Sequence, residues 1–200
     1  MKNQCLMNCF TAIVLGTVLF ITNSFGANPS DAQATQPAAT KSAYTLSWTW
    51  NKPGQLNGWV AGRTNSCEVS SNGIEINTGN DFNIVSPPLN INAEKYRYIV
   101  LRLKCDLSNA GEIFFMPEDQ KGFSQQFSVL FQIIGDNEFH TYLVDMTKNI
   151  KWQGQIHRLR LDTENIPGIN IQIGQIELLK KPDPKETYTI LKVHRPFDRS

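Results

Sequence analysis

Residues 139–162, FHTYLVDMTKNIKWQGQIHRLRLD, carry the pattern that decides the fold class. Two runs in which apolar and polar residues alternate, at its start and at its end, flank a polar loop. In the second run, two leucines alternate with Arg160 and Asp162. Because successive side chains of a strand point to opposite faces, one face of this strand is apolar and the other is charged. The stretch predicts two strands, and an arginine in mid-strand indicates more than a plain core element.

The same alternation continues on both sides of that stretch. The longest run is 97–105, and the last is 169–179, where Gly174 indicates a bulge or a tight backbone contact. Asn72-Gly73 between two β-rich runs is a strong hairpin signal. Helical periodicity extends over no useful length. About ten short strands separated by turns predict an all-β sandwich or barrel.

The composition is that of an ordinary globular protein. The chain has 200 residues, of which 40% are hydrophobic and 18% are charged, and its formal net charge is +1. This length accommodates one domain with appendages. A charge so close to balance gives no electrostatic attraction for nucleic acid or for an anionic membrane. We therefore expect neither of them as a partner.

The N-terminus has the pattern of a secretory signal peptide, residues 1–26. Lys2 precedes the apolar run 10–21, and the small residues Ser24 and Gly26 favour cleavage after Gly26. The apolar run is too short to span a bilayer comfortably, although an uncleaved membrane anchor is the alternative. The sequence thus predicts a protein that is secreted or held in the periplasm or cell envelope, without membrane attachment after cleavage.

The rest of the chain divides by composition into three parts. Residues 27–43 are rich in Pro, Ala, Ser, Thr and Gln, which is typical of a flexible linker. Residues 44–181 hold the strand pattern and form the predicted domain. Residues 182–200 form a C-terminal tail in which 188–193 is strand-like. The tail is either an additional edge strand or the beginning of a longer architecture.

The cysteines bear on the compartment. Cys5 and Cys9 would leave with the signal peptide, so that Cys67 and Cys105 remain in an exported domain. Two cysteines in such a domain form either one disulfide or two buried thiols. A cysteine metal site is not expected, because the mature chain has no CxxC motif and no close Cys/His pair.

Eight short motifs occur in an order and spacing that resemble a known group. They are GW at 58–59, NGI at 72–74, TGND at 78–81, YRYIVLRLK at 96–104, FHTYLVDM at 139–146, WQG at 152–154, LRLD at 159–162 and IGQIEL at 173–178. The set resembles the β-jelly-roll, galactose-binding-like modules of bacterial exported proteins, which are similar to carbohydrate-binding modules attached to glycoside hydrolases and sulfatases. The resemblance covers 44–181. It implies a jelly roll that binds polysaccharide or another glycan without catalysis.

Modules that this chain resembles often hold a structural calcium ion. Relatives often carry an aspartate in the last strand where this chain has Gly174, and calcium needs six to eight oxygen ligands. Asp81, Asp145 and Asp162 remain as possible ligands. The expectation is no cofactor, with a structural calcium ion as the alternative that Gly174 disfavours.

The candidate ligand-binding residues are Arg102, Phe114, Arg160 and Trp152. Both arginines lie in mid-strand on the parity opposite the leucines, and a guanidinium offers a rigid set of donors for hydroxyl groups. Phe114 has the parity of an outer face and is expected to stack a sugar beside Arg102. The alternatives are that each arginine only pairs with a carboxylate such as Glu112 or Asp162, and that Trp152 locks its loop onto the core.

No motif of catalysis is present, and we expect no enzyme. A glycosidase needs two carboxylates that converge across a cleft, and no such pair is evident in the sequence. His140 and Tyr142 share a face, which is the only indication of a small polysaccharide lyase. The main alternative to glycan binding is a structural or adhesive β-sandwich that contacts other envelope or exported proteins.

Overall fold

The computed structural model describes residues 46–190, so the predicted signal peptide 1–26 and linker 27–43 lie outside the described residues. Within that part of the chain, ten strands and one 3-10 turn, Met146–Lys148, make up the regular structure. The strands are β1 Leu46–Thr49, β2 Val60–Ser70, β3 Gly73–Val85, β4 Ile91–Asn92, β5 Tyr98–Cys105, β6 Asn109–Pro117, β7 Ser128–Ile133, β8 His140–Asp145, β9 Gln155–Thr163 and β10 Asn170–Leu179. The all-β prediction is confirmed.

The strands form a β-sandwich of jelly-roll type, with antiparallel pairing throughout the named strand pairs. The first layer has the order β7-β6-β9-β3-β2, with β4 on β9. The second layer has the order β8-β5-β10-β3-β2, with β1 on β10. We name them the β9 layer and the β5 layer.

The long β2–β3 hairpin belongs to both layers. The start of β3 pairs with β10, whereas its end, from Asn83 to Val85, pairs with β9. Between these segments the β2–β3 register shifts, and Arg63 and Asp81 adopt left-handed backbone angles with φ of 55° and 58°. Their side chains form an ion pair. Bulges of this kind bend and twist a strand. They allow the start of β3 to lie in the β5 layer and its end to lie in the β9 layer. The predicted Asn72-Gly73 turn closes it.

The core lies between the layers and follows from the alternation seen in the sequence. Leu101 and Leu103 of β5 are buried on one side, and Leu159 and Leu161 of β9 are buried on the other. Each fully buried leucine contributes about 1.5–3 kcal/mol relative to an exposed one. Because both strands turn their leucines inward, the polar parity of each strand faces outward, on opposite sides of the sandwich.

No disulfide joins Cys67 to Cys105, so of the two alternatives for these cysteines the single bridge does not hold. Across the β5 layer, Cys67 lies opposite Ile76, Ile76 opposite Ile171, and Ile171 opposite Cys105. The two cysteines are therefore separated by three strand spacings, roughly 14 Å at about 4.8 Å each. A disulfide needs Cα atoms within about 7 Å.

Two further features of the β5 layer agree with the sequence. The register of β10 against β5 shifts between Ile173 and Gln175, which confirms the bulge predicted at Gly174. In the tail, Thr189 forms a parallel bridge to Tyr142, and its N–H donates to the Thr141 carbonyl at 2.7 Å. The tail thus runs beside the edge of β8. Among the described residues, no helix has the length and apolarity that crossing a membrane requires.

Replacing Gly73 by alanine is expected to destabilise the sandwich. Gly73 has φ of +141°, and an added Cβ would lie 2.5 Å from the Ile173 carbonyl oxygen. We expect Gly73→Ala to lower the free energy of unfolding in urea by about 2–3 kcal/mol. The control is Gly122→Ala, where an added Cβ meets no atom within 4 Å. Equal stability of the two variants would contradict this role of the hairpin turn.

Candidate functional site

An arginine lies between two phenylalanines on the outside of the β9 layer. Phe114 of β6 is the direct cross-strand partner of Arg160 of β9. The Arg160 guanidinium carbon lies 4.5 Å from the centre of the Phe114 ring and 5.5 Å from that of Phe123. Phe123 belongs to the loop between β6 and β7. Stacking on both rings restricts the plane of the guanidinium.

Asp162 fixes the same guanidinium from its edge. The Arg160 Nε donates to Asp162 Oδ1 at 2.7 Å, and Nη2 donates to Oδ2. Bidentate pairing of this type is among the stronger and more directional hydrogen-bonding arrangements. Of the five N–H donors of an arginine, the pair uses two. The Arg160 side chain keeps 25% of its surface exposed, so other donors can reach a ligand.

Glu112 connects the β6–β7 loop to the sheet. It lies directly opposite Asp162 and accepts hydrogen bonds from the Ser128 hydroxyl at 2.5 Å and from the Gln125 amide. Gln125 lies two positions after Phe123, so this contact helps to place the Phe123 ring. We call the surface formed by Glu112, Phe114, Phe123, Arg160 and Asp162 the Arg160 face.

The sequence assigned Phe114 and the arginines to outward parity, but it placed Phe114 beside the wrong arginine. Phe114 is only 5% exposed and lies under Arg160, whereas Arg102 is in the other layer, where it pairs with Thr141 and Gln175. Parity indicates the side of a strand. It does not tell in which of two layers the strand lies.

Arg102 packs flat against the outside of the β5 layer. Its guanidinium carbon lies 3.7 Å from the centre of the Phe139 ring. A Cβ added at Gly174 would lie 2.6 Å from Arg102 Nη1, so the absence of a side chain at the bulge makes room for the arginine. Arg102 is exposed and has no ion pair within residues 46–190.

Trp152 is placed in the core. Its side chain is 6% exposed, its indole N–H donates to the Tyr96 carbonyl at 2.8 Å, and its ring meets Phe115 edge to face at 5.0 Å. This arrangement locks the loop before β9 onto the sandwich. It leaves almost no ring surface for a ligand.

The β5 layer carries a polar groove that the sequence reasoning missed. The groove has a volume of about 440 Å³ and crosses β2, β3, β10 and β5. Its lining includes Ser66, Glu68, Glu75, Lys104, Asn137 and Gln172. The available signal was the polar parity of β2 and β3, where both glutamates alternate with buried or partly buried apolar residues. Only the strand pairing brings these positions together.

The three aspartates named as possible calcium ligands each have other partners. The Asp81 side chain pairs with Arg63, and that of Asp162 pairs with Arg160. The Asp145 carboxylate accepts from the Thr147 N–H and hydroxyl. No group of three or more His, Cys, Asp or Glu side chains suited to a metal occurs in the described part of the chain.

Burial and local hydrogen bonds shift several pKa values. Burial raises the pKa of the Cys105 thiol and of the Tyr142 hydroxyl. The Glu138 N–H, together with His140, lowers the pKa of Asp136. On the outside of β10, burial raises the pKa of Glu177, and the hydrogen bond from Gln175 offsets this only in part.

Glu177→Gln is expected to stabilise the protein at neutral pH. The folded-state pKa of Glu177 is raised, so the protonated form is favoured in the fold and the partly buried carboxylate costs stability once it ionises. The advantage of the variant in unfolding free energy should be full above the folded-state pKa and shrink as the pH falls through it toward 4.5. Exposed Glu94→Gln is the control. A pH-independent difference would contradict the assignment.

Comparison with known proteins supports the architecture. No family model matches the sequence, and no curated protein matches it. Among solved structures, a family 29 carbohydrate-binding module complexed with mannohexaose matches with a TM-score of 0.51 and 13% identity, covering 68% of this chain and 90% of that one. A different alanine mutant of the same module matches with a TM-score of 0.51 and 13% identity, covering 71% of this chain and 99% of that one. At this identity the likeness shows a common fold.

Proposed function

We propose that this protein is a non-catalytic glycan-binding module that binds through the Arg160 face. The observation that carries the proposal is the guanidinium of Arg160, held by Asp162 and stacked on Phe114 and Phe123. Its position is determined before any ligand arrives. Preorganised polar groups lose little conformational entropy on binding, which is what a shallow sugar site requires.

The face offers the two kinds of contact that a sugar needs. The remaining Arg160 donors are suited to pair with the oxygens of neighbouring hydroxyl groups, while Asp162, which is 8% exposed, holds the guanidinium in place. Phe123 is partly exposed at the loop and can cover the apolar C–H face of a pyranose. Phe114, beneath Arg160, supports the guanidinium and contributes no exposed ring.

The charges of the face favour a neutral glycan. Arg160 and Arg158, the next outward residue of β9 beside the face, carry two positive charges, which balance the negative charges of Glu112 and Asp162. A surface without net charge does not attract a polyanion such as a uronate polymer. Hydrogen bonds and ring stacking remain as the sources of affinity.

The solved structures of this fold support the class of ligand. The matching family 29 module was determined with mannohexaose, and its mutants replace aspartate, lysine or arginine by alanine in order to probe ligand recognition. Charged side chains on a β-sandwich were thus the groups tested for sugar recognition in that protein. The Arg160–Asp162 pair offers the same chemistry here.

The two carboxylates of the face suit binding better than hydrolysis. Glu112 and Asp162 stand side by side on neighbouring strands, and each is committed, Glu112 to Ser128 and Gln125 and Asp162 to Arg160. A glycosidase requires carboxylates that flank the scissile bond. The lyase alternative would use Tyr142, which is 2% exposed and whose hydroxyl accepts the Ile134 N–H.

Substitutions at the face are expected to weaken glycan binding. We expect Arg160→Ala and Phe123→Ala each to lower the affinity for a neutral polysaccharide at least tenfold, about 1.4 kcal/mol. Arg160→Lys should also bind more weakly, because lysine keeps the charge but lacks the planar donors. Affinity electrophoresis in gels containing mannan, β-glucan or xylan measures the effect.

The control is Arg97→Ala, because Arg97 is exposed and lies on neither candidate surface. Urea unfolding of each variant separates loss of binding from loss of the fold. Wild-type protein that none of the three polysaccharides retards would overturn the proposed function. Unchanged retardation of folded Arg160→Ala and Phe123→Ala would move the site away from the Arg160 face.

A further inference from the structure

The polar groove of the β5 layer is built from one aligned row of side chains. Lys104 of β5 lies opposite Gln172 of β10, Gln172 opposite Glu75 of β3, and Glu75 opposite Glu68 of β2. All four point outward, because their strand neighbours contribute to the core. The row thus runs across four strands and presents an ammonium group at one end and two carboxylates at the other.

A second row, beside the first, is linked by hydrogen bonds between its side chains. The Asn65 amide donates to Asn77 Oδ1 at 2.8 Å, the Asn77 amide donates to Asn170 Oδ1 at 2.8 Å, and the Asn170 amide donates to Asp106 Oδ2 at 2.6 Å. Chains of hydrogen bonds strengthen one another and restrict side-chain rotation. This ladder of amides lies against the row of charged residues and holds one side of the groove in place.

The row of charged residues, in contrast, retains unused hydrogen-bonding capacity. Within residues 46–190, the side chains of Lys104 and Glu68 have no hydrogen bond or ion pair, and Glu75 accepts only from Gln172, at 3.1 Å. The side chain of Asn137, which also lines the groove, has no hydrogen bond within these residues either. Gln172 stands between Lys104 and Glu75, so the opposite charges do not meet directly. The planar amides and carboxylates that face this groove are therefore placed to exchange hydrogen bonds with a ligand that lies along it.

The lining defines the class of ligand. The groove has no aromatic side chain and no exposed aliphatic side chain in the charged row, so a hydrophobic peptide would gain little there. One lysine and two glutamates give a formal charge of −1, which disfavours polyanions. A neutral chain with many hydroxyl groups matches donors and acceptors spread across several strands.

We propose that this groove is a second site for a neutral glycan, independent of the Arg160 face. Because the two surfaces lie on opposite outer sides of the sandwich, two sites would allow the module to bridge two polysaccharide chains. The class of ligand extends the proposed function, while the residues that carry this site are entirely different. Binding in the groove depends on hydroxyl contacts without ring stacking, so it is weaker than binding at the Arg160 face.

Backbone amide NMR of the full chain, titrated with mannohexaose, cellohexaose and xylohexaose in turn, tests the second site. With at least one hexasaccharide, we expect two separate groups of shifts, one on β6 and β9 and one on β3 and β10. The double variant Lys104→Ala/Glu75→Ala should weaken the second group at least fivefold and leave the first unchanged. The matched control is Lys95→Ala/Glu94→Ala, a pair of the same charges that is exposed outside both surfaces.

The outcomes separate this site from the Arg160 face. Groove shifts that persist in Arg160→Ala, while those of the Arg160 face disappear, support the second site. Shifts confined to the Arg160 face with all three hexasaccharides overturn the groove and leave the proposed function intact. Shifts confined to the groove support the second site and overturn the assignment to Arg160. No shifts at millimolar concentrations of any hexasaccharide overturn both.

Discussion

The sandwich depends on one constraint, the passage of a single hairpin from one layer to the other. Thr78, fully buried at this passage, donates its hydroxyl to the Ile166 carbonyl at 2.9 Å and accepts the Ile169 N–H at 2.9 Å. Its own N–H donates to the Ile169 carbonyl. These bonds satisfy the backbone where the ladders are interrupted, which a buried chain requires. The placement of the two layers therefore depends on the backbone around Thr78.

A structural property can be predicted from this sequence when it depends only on residues that are close together in the chain. Alternation is local, so it correctly indicated that Arg102, Phe114 and Arg160 face outward and that the leucines face the core. The Asn72-Gly73 turn and the Gly174 bulge are also local. Which layer a strand joins depends on pairing between distant segments, so neither the Phe114–Arg160 contact nor the polar groove could be derived. The same limit explains why the sequence left the pairing of Cys67 and Cys105 open, since sequence spacing does not reveal a separation of three strands.

The two outer surfaces use polar side chains in different ways. On the Arg160 face, the guanidinium is paired with a carboxylate and stacked on phenylalanine rings. These contacts restrict its motion and define its geometry. In the groove, the charges of Lys104 and Glu68 face solvent without partners among the described residues, beside a ladder of amides that is already satisfied. Both surfaces consist of the outward-facing side chains of strands whose inward-facing side chains form the core.

The bulge at Gly174 has a consequence for how chains of this architecture can diverge. Arg102 lies across the position that a side chain at 174 would occupy. A side chain at 174 would meet the guanidinium in its present place, so Arg102 would have to move away from the Phe139 ring to make room for it. Positions 102 and 174 are therefore coupled: a side chain at 174 requires a shorter residue at 102 or an arginine that gives up its place on the Phe139 ring.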